Sequence, residues 1–475
     1  MPVSREEINV IVQEVLKNLQ GAGLAQAAGK SSQAPSGPRG RGVFDTMDDA
    51  VKAAGEAQKK LTALPLSTRR AMIDNMRRRA LEKLEELARL GVEDTGYGRV
   101  ADKLQKNKLA ITRTPGIEDL QPVSYSGDNG LTVVEQAPYG IIGAITPSTN
   151  PSETLICNSI GMISAGNAVV FGPHPAAAKI SLFTISLLND AVVEAGGPDN
   201  LMVCVARPSL ETGTALMHHA GIRLLCVTGG PAVVAAAAKS GKKFIAAGPG
   251  NPPAVVDETA DLKKAARDIV SGATLDNNIL CIAEKEIIVV ESVADELKTH
   301  LKNSGAYEAS PREIIQLEKL VLDPKTGGPN RKYIGKDAAV ILDGIGVRVP
   351  DDIRMILCET APDHPFVLEE MLMPVIPLVR VRDIFAAVDL AVKVEHGYNH
   401  TAVMHSKNLD NLHMMASRCN CSIFVKNGPS YAGLGLGGEG FTTFTIASPT
   451  GEGLTSARTF TRQRRCVLVD HFRIV

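Results

Sequence analysis

The chain has no surplus of either charge, no apolar run long enough to cross a bilayer and no paired-cysteine metal motif, and each absence removes a class of function. Its 475 residues hold 51 lysines plus arginines against 52 aspartates plus glutamates, so the basic surface that nucleic-acid binding needs is missing. No nucleic-acid partner is expected. The N-terminus has Glu6 and Glu7 where a signal peptide needs an apolar stretch, which predicts a soluble, intracellular protein with no membrane partner. Eight cysteines, at positions 157, 204, 226, 281, 358, 419, 421 and 466, lie mostly inside apolar runs and lack the CxxC pairs of a zinc site. Most read as reduced core residues. The run His396, His400, His405 has no HExxH-type pair and sits in strand-like sequence, so no metal is expected there.

What is present is apolar material for more than one core: 44% of the residues are hydrophobic and 22% charged, the balance of a globular, multi-domain protein. Residues 4–20 open with Ser4 and Glu7 in capping-box spacing, followed by a single apolar stripe of Ile8, Ile11, Val12, Val15, Leu16 and Leu19. This predicts an amphipathic helix over residues 1–20. Residues 21–42 are rich in Gly, Ala, Ser and Pro and read as a flexible linker that tethers the helix to the body.

Folded composition begins at Val43, with helical patterns over Asp48–Leu61 and Thr68–Leu90. The Arg77-Arg78-Arg79 run on the second is read as a solvated face in preference to an anion site. A hairpin is predicted around 122–137, turning on Gly127-Asp128-Asn129-Gly130. From 139 to 257, short β-branched runs (YGIIGAIT, NAVVFG, LMVCVA, IRLLCVTG, KFIAAG) alternate with helical patterns, which implies right-handed βαβ units and a mostly parallel, Rossmann-like sheet. A second alternating region runs to about 440, with helices near 259–271, 293–304 and 310–321 and strands EIIVV, PVIPLVRV and TAVMHS. The tail RRCVLVDHFRIV alternates like a strand able to return to the hairpin. The resulting division is 43–250, 251–440 and a C-terminal segment 441–475.

Three segments carry chemistry-bearing residues. The only GxGxxG, Gly433, Gly435 and Gly438, lacks a strand–turn–helix context and is discarded as a dinucleotide fingerprint; a close backbone approach, at the active site or elsewhere, is expected instead. The loop Thr146-Pro147-Ser148-Thr149-Asn150-Pro151 follows a strand and precedes a helix, the place where open parallel sheets bind ligands. There Asn150 is either an oxyanion donor or an ordinary turn former. Cys281 lies on a loop beside Asn277 and Asn278, unlike the core-embedded Cys157, Cys204 and Cys226, and is either a structural thiol or a nucleophile.

Taken in order, TPSTNP, VTGG at 227–230, AAGPGNPP at 246–253, the Cys281 segment, Glu369-Glu370-Met-Leu-Met-Pro and SIFVKNGPSYAGLGLGGEG resemble the aldehyde dehydrogenase superfamily. More closely, the whole chain, tethered helix included, resembles the CoA-acylating aldehyde dehydrogenases of bacterial microcompartments, which act on propionaldehyde or acetaldehyde. The resemblance implies an α/β fold with a Rossmann-like NAD-binding domain at 43–250, a catalytic domain at 251–440 and a small β oligomerisation element. It implies Cys281 as nucleophile, Asn150 with the Cys281 N–H as oxyanion donors, and Thr146, Gly229 and Glu370 along the nicotinamide cofactor. Hydrolytic relatives carry a glutamate base at the place of Ala246 and a lysine toward the adenosine ribose in the segment that here reads Phe171-Gly172-Pro173-His174.

The expected reaction is attack of Cys281 on a short aldehyde, hydride transfer to NAD+, and thiolysis of the acyl-cysteine by coenzyme A. A thiol needs no added base as water does, so the loss of the glutamate favours CoA over hydrolysis. His400 is either a packed strand histidine or an aid to CoA deprotonation. The alternatives are a hydrolytic, CoA-independent dehydrogenase, against which Ala246 argues, and a silent scaffold, which leaves Cys281, Asn150 and Glu370 without purpose. The expected partners are a shell protein engaged through residues 1–20 and further copies of the chain. The expected location is inside a bacterial microcompartment of the cytoplasm.

Overall fold

Short β-branched strands separated by helices pair side by side in parallel only through crossovers, and the two main sheets are built this way. The computed structural model describes residues 40–473. The predicted helix at 1–20 and nearly all of the linker lie outside the described residues.

Strand β1 (Val43–Phe44) is followed by four helices, Met47–Ala63, Leu66–Glu82, Leu84–Thr95 and Val100–Arg113. The helical pattern read as continuous over 68–90 is two helices, because Lys83 leaves the helical region (φ −105°, ψ 16°). The helix Val100–Arg113 has no counterpart in the reading of the sequence. Next comes the hairpin β2 (Val123–Gly127) and β3 (Gly130–Pro138), joined by the two-residue turn Asp128-Asn129.

The chain then lays down β4 (Ile141–Thr146), β5 (Ala168–Pro173), β6 (Met202–Val205), β7 (Leu224–Thr228) and β8 (Phe244–Ala247). With β1 they form a six-stranded parallel sheet in the order β1-β6-β5-β4-β7-β8. The order reverses between β4 and β7, where crossovers leave to opposite sides and open a crevice at the carboxyl ends of the strands. Between β5 and β6, the stretch Pro175–Glu194 has a mean hydropathy of 1.4 and is, by length and composition, apolar enough to cross a membrane. That corrects the reading that no such segment exists. In the fold it packs against β6 and the helix Leu66–Glu82, where Asn75 Nδ2 donates to Ala191 O at 2.7 Å.

The second sheet is β9 (Pro253–Val256), β10 (Glu286–Val290), β11 (Ala306–Glu308), β12 (Met355–Glu359), β13 (Val375–Val381), β14 (Thr401–His405) and β15 (Ile423–Lys426). All seven strands are parallel, in the order β11-β12-β13-β10-β9-β14-β15. Its helices include Leu262–Thr274, Glu291–Asn303 and Pro311–Val321, within three residues of the predicted ones. One buried apolar cluster runs through both sheets, from Val169 and Leu225 to Ile287 and Val403. After the short pair β16 (Ile446–Ala447) and β17 (Gly453–Leu454), the tail strand β18 (Thr461–Val469) runs antiparallel along β3, from Thr461 opposite Pro138 to Val469 opposite Gly130. The three-stranded sheet β18-β3-β2 leaves Tyr125, Val467, Leu468 and Val469 exposed.

Candidate active site

Cys281 lies on the crossover from β9 to β10, just beyond a turn that only a few residue types can make. Asp276, Asn277 and Asn278 are consecutively left-handed, with φ of 51°, 55° and 66°. Asp and Asn tolerate that region best among residues with a side chain, and here all three are buried and held through their side chains. Asn277 Nδ2 donates to Gly335 O at 3.0 Å and Asp337 Oδ1 at 2.8 Å, and Asn278 Nδ2 to Ala273 O at 2.7 Å and Glu284 O at 2.9 Å. From below, Lys285 Nζ donates to Asn278 O and Oδ1, both at 2.8 Å, and to Leu280 O at 3.1 Å. The two asparagines beside the cysteine therefore pin its turn and are not polar lining of a cleft.

All eight cysteines are free, and Cys281 is half-buried where Cys157, Cys204 and Cys226 are buried. Burial pushes the Cys281 thiol up to about 12, helped by the Glu370 carboxylate and opposed by Lys285 and Lys106. The resting thiol is neutral. Gly250, on the segment leaving β8, passes beside it: a Cβ there would lie 2.5 Å from the Cys281 carbonyl oxygen and 3.1 Å from His400 Cγ. No side chain fits, and this close approach brings the cysteine backbone and the histidine ring against one glycine.

His400, at the entry to β14, is fully buried; its Nδ1 bonds Thr401 Oγ1 at 2.8 Å and its Nε2 has no partner. Burial, with Lys285 nearby, lowers its pKa to about 4, so the ring is neutral at physiological pH. Burial raises the Glu370 carboxyl against the pull of Lys285 and a hydrogen bond from the Gly250 N–H. Cys281, His400 and Glu370 thus converge on Gly250. Ala246, four residues earlier in β8, is buried, and its N–H donates to Thr450 Oγ1 at 3.0 Å. The stretch from Ala246 to Pro253 brings no carboxylate to the cysteine.

Thr146 ends β4 and Gly229 follows β7, neighbouring strands in register at Ile145 and Val227, so both stand at the crevice of the first sheet. Thr146 Oγ1 is buried without a partner. His174, at the end of β5, turns its Nδ1 back to accept from Ala176 N at 3.1 Å. Asn150 precedes the helix Pro151–Ser164, with Nδ2 donating to Thr149 Oγ1 at 3.3 Å and Oδ1 accepting from Lys106 Nζ at 2.6 Å.

Lys106 belongs to the unpredicted helix Val100–Arg113, as do Lys103 and Asp102. Lys106 Nζ lies 2.5 Å from Asp276 Oδ2 and 3.3 Å from Glu153 Oε1, and Lys103 Nζ lies 3.0 Å from Asp276 Oδ2. Burial works against ionisation of Asp276, but Lys106 and Lys103 outweigh it and hold the carboxyl below its ordinary value. The signal in the sequence was spacing: Asp102, Lys103, Lys106 and Asn107 fall on one helical face, and that face is buried. Of the arginine run, Arg78 and Arg79 pair with Glu82 and Glu194 at the surface, whereas Arg77 turns inward to donate to Ile111 O at 2.5 Å and Thr114 O at 2.6 Å.

The glycine block has a different role from a site lining. A Cβ at Gly433 would lie 2.3 Å from Ile423 Cγ2, so the close approach is to β15. The block is moored to the cysteine turn by Glu284, whose carboxylate accepts from Ser430 N at 2.8 Å and Ser430 Oγ at 2.6 Å. His396 Nε2 meets Leu368 O at 2.9 Å, apart from the partners of His400, and no metal-ligating cluster occurs among the described residues.

Comparison with known proteins returns matches along the whole chain. The profile of the aldehyde dehydrogenase family matches residues 41–306. Acetaldehyde dehydrogenase (acetylating) EutE of Salmonella typhimurium is 50% identical over 100% of both chains. A Rhodopseudomonas palustris propionaldehyde dehydrogenase, solved with bound CoA and an acylated cysteine, is 53% identical, with a TM-score of 0.90 over 91% of this chain and 99% of its own. A propionaldehyde dehydrogenase from the Clostridium phytofermentans fucose utilisation bacterial microcompartment is 49% identical, with a TM-score of 0.90 over 92% of this chain and 100% of its own.

Proposed function

The chain belongs to the aldehyde dehydrogenase family, and from that premise we propose that it oxidises a short aliphatic aldehyde, acetaldehyde or propionaldehyde, to the acyl-CoA with reduction of NAD+. The observation that carries the reading is the junction at Gly250, where the backbone of half-buried Cys281 and the neutral ring of His400 pack against one glycine and the 246–253 stretch brings no carboxylate to activate water. In this reading Cys281 Sγ loses its proton and bonds the aldehyde carbon, while the Asn150 amide and the Cys281 N–H hold the oxyanion. The residues at the first crevice fit a dinucleotide: Thr146 Oγ1 is an unused buried hydroxyl, and a side chain added at Gly230, the N-terminus of the helix Pro231–Lys239, would meet nothing. Bound there, NAD+ supplies the hydride acceptor. Thr146 and Gly229 would line it and Glu370 would take a ribose hydroxyl, with 43–250 as the NAD-binding domain and 251–440 as the catalytic domain.

The acyl-cysteine is then attacked by the CoA thiol, whose proton passes to His400 Nε2, a buried ring nitrogen without a partner; the new C–S bond forms as the Cys281 thiolate leaves. The hydrolytic alternative needs a base for water, and Ala246 supplies none. Steady-state turnover with aldehyde and NAD+ tests the assignment. NADH and acyl-CoA should form in equal amounts only when CoA is present, and free acid formed at the same rate without CoA would contradict it.

The reading extends to assembly. The microcompartment origin of the Clostridium phytofermentans relative supports such a setting here, with residues 1–20 as the targeting helix that docks on a shell protein. The apolar stripe of the helix expected from that sequence would gain burial from such a partner, an isolated helix of about 12–15 residues being marginal in water. The exposed strands β2 and β18 are the pairing surface of a homo-oligomer.

A further inference from the structure

We propose that Lys106 is a positioning residue for acylation: its ammonium holds the Asn150 amide in the orientation that presents Nδ2 to the thiohemiacetal oxygen and, through Asp276, registers that amide against the Cys281 turn. The proposal rests on the assignment of Cys281 and Asn150 made above.

An ammonium has only donors, and here it donates to Asn150 Oδ1 at 2.6 Å and lies 2.5 Å from Asp276 Oδ2 and 3.3 Å from Glu153 Oε1. An amide turned by 180° would set its NH2 against the buried ammonium, donor against donor, so this environment permits one orientation. In that orientation Nδ2 has one acceptor among the described residues, Thr149 Oγ1 at 3.3 Å, and one N–H remains for a ligand. A cation on the amide oxygen also draws electron density from the nitrogen and strengthens the N–H as a donor.

Asp276 carries the link to the nucleophile. Its carboxylate also takes Arg99 N at 2.8 Å and Lys103 Nζ, and its own N–H donates to Asp102 Oδ2 at 3.0 Å, which Arg354 Nη2 meets at 2.9 Å. The carboxylate that accepts Lys106 thus belongs to the first of the three left-handed residues that set the Cys281 turn. One ammonium therefore joins the loop after β4 of the first sheet to the turn before β10 of the second. Burial pulls the Lys106 pKa down, but Asp276 and Glu153 outweigh it and the ammonium stays charged. Apolar side chains would fill such a space at no loss of stability, so buried charge on both sides of the site points to a geometric role.

The test is a double-mutant cycle on the first-turnover burst of NADH, with Asn150→Ala, Lys106→Met and the pair. Asn150→Ala should slow the burst about 10²–10³-fold, as loss of an oxyanion donor does. Lys106→Met should slow it about tenfold or more, leave the Kd for NAD+ within about twofold, and change the rate less than about twofold in the Asn150→Ala background. The same factor in both backgrounds overturns this proposal alone, because the lysine then acts by another route. An unslowed Asn150→Ala enzyme overturns the assignment of Asn150 and the proposal with it. Because Lys106→Met strips a cation from two buried carboxylates, the charge-balanced Lys106→Met/Glu153→Gln protein is run in parallel. It is read in the same cycle if the single variant is unfolded.

Discussion

The Cys281 thiol shares its raised pKa, about 12, with Cys157, Cys204 and Cys226, so acidity does not single it out. Access does, together with the neighbours that Gly250 brings to it. The proton must leave during the reaction, and His400, packed against that glycine with its Nε2 unpartnered, is the group proposed to receive one. The missing carboxylate at Ala246 is the other decisive residue. A folded Ala246→Glu enzyme should release free acid from its acyl form without CoA about 100-fold faster than the parent, the lower range of what a placed general base contributes. Acid release in single-turnover mixtures lacking CoA checks this, and no increase in a folded variant that still acylates would count against the thiolysis account.

Strands announce themselves in this sequence, and helices with charged buried faces do not. The runs that became β4, β5, β7, β10, β13 and β14 were readable because β-branched residues cluster between turn signals. The helix Val100–Arg113 was not, because Lys103 and Lys106 find their partner Asp276 more than 150 residues away, and periodicity treats a charged face as a wet one. The same blindness hid the Asp276-Asn277-Asn278 turn, whose left-handed backbone is stabilised by groups from two distant segments, 99–106 and 335–337. Strand β14 offers a test of burial. Burial, with Lys264 adding and Asp268 opposing, lowers His405 to about 4, and its Nε2 has no partner. Below pH 6.5 the unfolded chain binds a proton that the folded chain refuses until about pH 4. This residue's share of stability is therefore complete above pH 6.5 and is lost as the pH falls through that window, by about 3 kcal/mol. Urea titrations of the parent and of His405→Leu at pH 7 and pH 4.5 should show the parent losing more by about 2–3 kcal/mol. Equal losses would mean that the histidine is hydrated.

At the scale of the whole molecule, two parallel sheets share a core, and one ammonium couples the loop of the first to the nucleophile turn of the second. Ordered motifs exposed the resemblance and singled out Cys281 in the sequence, whereas the link through Lys106 required the fold. If residues 1–20 serve only for targeting, deleting 1–39 should leave the rate with aldehyde, NAD+ and CoA within about twofold and abolish co-purification with compartment shells. Retained co-purification would refute the targeting role. The central claim is that an acyl group rests on Cys281 until CoA takes it. Intact-protein and peptide mass spectrometry, after mixing enzyme with propionaldehyde and NAD+ but no CoA, reads this directly. The account predicts a propionyl adduct on the Cys281 peptide, absent in Cys281→Ala, that persists until CoA is added and then appears as an equal amount of propionyl-CoA. No adduct, or an adduct lost as free propionate at the same rate without CoA, would contradict it.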